Sequence, residues 1–118
     1  MNADELRRAV TLADGELMYD GELVILTDAH GVRWDYSPKR DHETLLPVIA
    51  ERLIEQIRQA HPFSALVACS EWTGDGWLFE CEISDNCIRS HEPQFRAIVR
   101  EGDTLNAAIT RACMAVLQ

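Results

Sequence analysis

A change of period in the middle of the chain constrains its fold more than any other feature. From residue 65 to 83, Ala65, Val67 and Cys69, then Trp77, Phe79, Cys81 and Ile83, alternate with Leu66, Ala68, Leu78, Glu80 and Glu82. Thr73-Gly74-Asp75-Gly76 separates the two runs and supplies the turn. Two period-two runs joined by a short glycine-containing turn specify an antiparallel hairpin. A parallel pairing would need a crossover of roughly a dozen residues or more, for which there is no room here.

A second hairpin precedes it. Leu23-Val24-Ile25-Leu26 is a continuous apolar run, Asp28-Ala29-His30-Gly31 carries turn chemistry, and Val32, Trp34 and Tyr36 alternate with Arg33 and Asp35. Helical periodicity brackets both hairpins. Over residues 2–13, Asn2 and Glu5 form a capping-box pattern, Leu6, Ala9, Val10 and Ala13 share a face, and Gly15 is a natural stop. The central helix runs from Asp41 or Thr44 to Ala60, burying Leu46, Ile49, Ala50, Leu53 and Ile57. Pro47 favours the later start, because proline is tolerated in a first helical turn. The closing helix, Asp103–Leu117, has a stripe of Leu105, Ala108, Ile109, Ala112 and Val116, capped by Asp103 or Thr104. Phe95, Ala97 and Val99 offer a fifth strand. The order α-β-β-α-β-β-(β)-α predicts an α+β fold. It is expected to be one domain over residues 1–118, with an antiparallel sheet of about four to five strands packed by three helices as a layered α/β sandwich.

Charge narrows the function classes. Twenty Asp and Glu stand against eleven Lys and Arg, a net charge of −9, which repels phosphate backbones and anionic membranes and favours a partner with a basic surface. No stretch of about 18 apolar residues is present, and Met1-Asn2-Ala3-Asp4-Glu5 does not open a secretory signal. Cys69, Cys81, Cys87 and Cys113 form no CxxC pair, which predicts free thiols in a reducing cytoplasm and no zinc.

The constellations that could carry catalysis or metal binding are weak. Cys81 or Cys87 with His91 lacks a nucleophile elbow, so the expectation is a buried thiol and a surface histidine, and no enzyme. Asp41-His42-Glu43 and His61 lack a second ligand cluster. Gly74-Asp75-Gly76 lacks the lysine and following helix of a phosphate loop. No cofactor is expected.

The acidic hairpin is the more informative surface. Glu80 and Glu82 share a strand face, so their carboxylates repeat at about 7 Å, about twice the axial rise per nucleotide of one DNA strand. With Glu71 and Asp75 they outline a negative patch, and Trp72 or Trp77 beside it would make an interface anchor. Trp34, Trp72 and Trp77 are otherwise read as core or rim residues.

Residues 108–115, Ala-Ile-Thr-Arg-Ala-Cys-Met-Ala, are similar to an Ala-Ile-Cys-Arg-Ala-Ala-Leu signature of the phage ABA sandwich domain family. Tyr36-Ser37 before the central helix, and Glu5-Leu6 running to Gly15 and Tyr19-Asp20-Gly21, resemble the same outline. Thr110 stands where the family often has Cys, and the family's central-helix Trp has no counterpart. The resemblance implies a small three-layer α/β protein of phage or prophage origin, acting in the cytoplasm of a bacterial host. The expected function is a non-enzymatic accessory protein that binds another protein. One form is an acidic, anti-CRISPR-like inhibitor of a host defence complex, using Glu71, Trp72, Asp75, Trp77, Glu80 and Glu82. The alternative is a self-assembling structural or virion-associated module, with a homo-oligomer as its product. A small-molecule or catalytic domain ranks third.

Overall fold

The computed structural model describes residues 1–28, 30–85, 96–101 and 104–118. In chain order these form α1 (Ala3–Leu12), β1 (Glu16–Met18), a 3₁₀ turn (Tyr19–Gly21), β2 (Leu23–Thr27), β3 (Arg33–Tyr36), α2 (His42–Ala60), β4 (Ser64–Trp72), β5 (Trp77–Asp85), β6 (Arg96–Glu101) and α3 (Leu105–Leu117). The strands make two antiparallel sheets, β1-β2-β3 and β4-β5-β6. Among the described residues, the α+β class with three helices stands. The single sheet of four to five strands is corrected to two sheets of three: β1 joins the first hairpin, β6 joins the second, and no described strand of one pairs with a strand of the other. Periodicity reports which residues alternate and is silent on which hairpins pair.

α3 joins the parts. It packs on β5 and β6 with one flank and on α2 with another, and touches α1. Ala107, Ala108, Thr110, Ala112, Cys113 and Met114 are buried, while Leu105, Ile109 and Val116 are only half-buried. Burial therefore extends round the helix beyond the expected stripe, because it is covered from more than one side. Small side chains permit that close approach, and buried Thr110 satisfies its hydroxyl by donating to the Asn106 carbonyl at 2.7 Å. Thr104 caps the helix, its Oγ1 accepting from the Ala107 N–H at 3.1 Å. α2 contributes Leu45, Leu46, Ile49, Ala50, Leu53 and Ile57 to the core, β2 adds Val24, Ile25 and Leu26, and β5 adds Cys81 and Ile83.

Two local corrections have clear causes. α2 starts at His42, ahead of the favoured Thr44, and Pro47 lies in its second turn. The start is fixed by the turn before it. The Asp41 N–H donates to Ser37 O at 2.7 Å, and Asp41 Oδ2 accepts the Ser37 N–H at 2.9 Å, so the Asp41 carboxylate closes this turn and does not cap the helix. At the end of α1, Asp14 takes the left-handed conformation (φ 58°), while its N–H donates to Thr11 O and that of Gly15 to Val10 O, a Schellman stop. Gly15 is required for space: a Cβ there would lie 2.7 Å from Leu26 Cδ2 and 2.8 Å from Val10 Cγ1.

α1 is fastened to α3 across the length of the sequence. Arg111 Nε and Nη2 donate to Glu5 Oε2 and Oε1 at 2.7 and 3.2 Å. Glu5 also completes the capping box with Asn2, and the Arg111 guanidinium beside it holds its carboxyl down to about 2.

Two stability outcomes follow from these contacts. Gly15→Ala should cost roughly 1–3 kcal/mol by overpacking, while Asp14→Gly should hold or raise the melting temperature by removing left-handed strain. Glu5 titrates near 4.5 when unfolded and about 2 when folded, so its stabilisation is complete above about pH 4.5 and fades as pH falls towards 2. With both partners partly exposed, it amounts to roughly 1–2 kcal/mol. Thermal melts at about pH 6 and pH 2.5 should show a larger drop for wild type than for Glu5→Gln; equal drops would mean that the ion pair does not stabilise the fold.

Candidate protein-binding site

The β4–β5 hairpin gathers most of the residues singled out by the sequence. Its register runs from Ser64 opposite Asp85 to Trp72 opposite Trp77 without interruption. The turn closes with the Thr73 N–H and Oγ1 both donating to the Gly76 carbonyl, at 3.0 and 2.9 Å, and Gly74 takes φ +92°, which glycine adopts without strain. Cross-strand pairing places Leu66, Ala68, Cys81, Ile83 and Phe79 on the face turned to the helices, and Val67, Cys69, Glu71, Glu80 and Glu82 on the other.

Trp72 and Trp77 fall on the helix-facing side by parity, yet at the hairpin tip they remain exposed. They are 59% and 54% exposed and meet edge to face, ring centroids 5.6 Å apart. Glu71 and Asp75 are exposed beside them. The structure therefore brings four of the six expected residues, Glu71, Trp72, Asp75 and Trp77, to one end. Glu80 and Glu82 lie elsewhere, half-buried in the middle of the central strand. β6 sets position Arg100 opposite Glu80, Ile98 opposite Glu82 and Arg96 opposite Ser84. The carboxylate repeat is thus flanked by two arginine positions, which periodicity within one strand could not reveal.

The remaining expected sites disperse. Trp34 is no core residue: it is 54% exposed, its Nε1–H donating to Asp28 Oδ2 at 2.9 Å, and that bond, followed by the Val32 N–H, lowers the Asp28 carboxyl below its ordinary value. Cys81 and Cys113 are buried, and desolvation pushes their thiols up to about 11 and about 12, away from the reactive thiolate. Cys87 and His91 lie outside the described residues. His61 Nδ1 stands 3.6 Å from Asp85 Oδ2, far in sequence from Asp41 and His42, and no three His, Cys, Asp or Glu residues among those described are placed to share a metal. A concavity of about 580 Å³ lies between α1, the 3₁₀ turn and the approach to α2. Its walls include Leu6, Leu17, Arg7, Lys39, Asp20 and Glu22, with charges of both signs and no cysteine.

Sequence reasoning missed the outer face of β4, where Val67 is 64% exposed and Phe63 just before the strand 61%. The available signal was the absence of any charge from Ser64 to Ser70. No family model, curated protein or solved structure matches the chain. No helix among the described residues is long and apolar enough to cross a membrane.

Thiol mapping checks this assignment of environments. In the folded protein Cys69, which is exposed, should be labelled by an aromatic disulfide reagent, and Cys81 and Cys113 only on unfolding. Rapid native labelling of Cys81 would contradict its burial.

Proposed function

We propose that the chain is a non-enzymatic binding protein that docks on another protein through the tip of the β4–β5 hairpin. The observation that carries this reading is the exposed Trp72–Trp77 pair. Two large apolar rings held in water at the end of a rigid ladder fit a hot spot, which gains its energy when a partner pocket removes them from solvent. Glu71 and Asp75 beside the rings make an acidic rim, matched to a partner whose pocket is bordered by lysine or arginine. An accessory role of the phage type agrees with the residues of α3 that resemble the phage family. Within that role, inhibition of a host defence complex would use the tip, since Glu80 is paired in register with the Arg100 position and Glu82 with Ile98, mid-strand and away from the tip.

Capture from bacterial host extract on immobilised protein, quantified by mass spectrometry, separates the tip from the mid-strand carboxylates. A partner held by wild type should be lost with Trp72→Ala/Trp77→Ala and retained with Glu80→Lys/Glu82→Lys. The opposite pattern would replace the aromatic tip with charge mimicry.

A further inference from the structure

The partner class is narrowed by the strand that leads to the tip. β4 is an edge: β5 pairs with one side of it, and no described strand pairs with the other. Edge strands are ordinarily blunted by shortness, charge, proline or a bulge. The other edges here follow that rule, since β1 and β3 have three and four residues and β6 carries Arg96, Arg100 and Glu101. β4 does not. Its nine residues, Ser-Ala-Leu-Val-Ala-Cys-Ser-Glu-Trp, contain neither proline nor lysine, pair with β5 without a bulge, and carry one charge, at Glu71.

The ladder fixes which backbone groups face outward. Thr73–Gly76 is a hydrogen-bonded pair, so alternation makes Trp72–Trp77 a non-bonded one. The N–H and C=O groups of Leu66, Ala68 and Ser70 then point to the open edge. Another extended strand complements such a row along its whole length.

We infer that this strand is β4 of a second copy, paired antiparallel about Ala68 to give a continuous six-stranded sheet. This rests on the hairpin reading and names its partner. The strand is self-complementary about that centre. Its single charge avoids its own copy, because Glu71 falls opposite Ala65. A groove of about 110 Å³ runs between α2 and the start of β4, lined by Ile54, Ile57, Arg58, Ser64, Leu66 and Ile83 among others. α3 covers β5 and β6 more than β4, which leaves this end of the sheet open. Pairing about Ala68 sets Trp72 of one copy opposite Ser64 of the other, on the helix-facing side, at the mouth of that groove. Knob and hole thus lie at symmetric positions on one strand, as a two-fold interface requires. A heterologous strand has no charge pattern on β4 from Ser64 to Ser70 to read.

Sedimentation velocity of the full chain at about 1 to 100 µM tests the pairing. Wild type should shift from monomer to dimer over this range. Ser70→Pro removes an outward N–H at an exposed edge position where the monomer tolerates proline, and should weaken dimerisation roughly 100-fold with an unchanged circular dichroism spectrum. Val67→Lys is a second, fold-neutral disruption of the same edge. Val67→Cys should form a disulfide with Cys69 of the other copy under mild oxidation, since those positions stand opposite each other. A dimer that survives Ser70→Pro and Val67→Lys, or lacks that crosslink, overturns the inference. A strictly monomeric wild type that still captures a Trp72- and Trp77-dependent host protein overturns self-pairing alone and leaves the hairpin reading in place.

Discussion

The fold depends on how closely α3 can approach its neighbours. Ala107, Ala108, Ala112 and Cys113 are fully buried between sheet and helix, and none is larger than a few heavy atoms. A bulky residue at any of them would hold β5 and β6 away from the helix and part it from α2, because packed interiors do not absorb added volume. The same helix carries Arg111, whose fork on Glu5 fastens the first helix to the last. Hydrophobic contact and one well-aligned ion pair therefore secure a helix on each side of the chain from a single thirteen-residue segment.

That arrangement leaves the second sheet asymmetric. α3 lies over β5 and β6 more than over β4, so the helix-facing side of β4 is less fully covered, and the tryptophan pair at the hairpin tip stays exposed. The exposed tip, the unguarded edge and the small groove beside α2 are thus consequences of one packing choice. A protein built only for solubility would be expected to blunt such an edge, as the short and charged edges elsewhere in this fold are blunted.

Much of the architecture was legible in the sequence because local rules governed it. Asn2 and Glu5 form the capping box expected of them, Leu46, Ile49, Ala50, Leu53 and Ile57 are buried as their spacing requires, and the alternation from Ala65 to Ile83 is a hairpin. What failed was non-local. β1 is three residues long, too short for a period, and the two hairpins lie in separate sheets, which no local pattern records. The start of α2 was set by Asp41 reaching back to Ser37, a bond that outweighs the preference of Pro47 for a first turn. At the candidate site, Glu71, Trp72, Asp75 and Trp77 came together because a hairpin brings its own ends together. Glu80 and Glu82 read differently once β6 set Arg100 and Ile98 across from them, which no single-strand pattern contains.

On the proposed reading, the β4 edge and its tip are a surface built to be covered. Site-resolved amide exchange along Ser64–Trp72, measured at low and high protein concentration, tests it most directly. The outward amides of Leu66, Ala68 and Ser70 should exchange rapidly at about 1 µM and become protected at about 100 µM, while those of Val67, Cys69 and Glu71, bonded to β5, should be protected throughout. Exchange at Leu66, Ala68 and Ser70 that is fast and independent of concentration would contradict it.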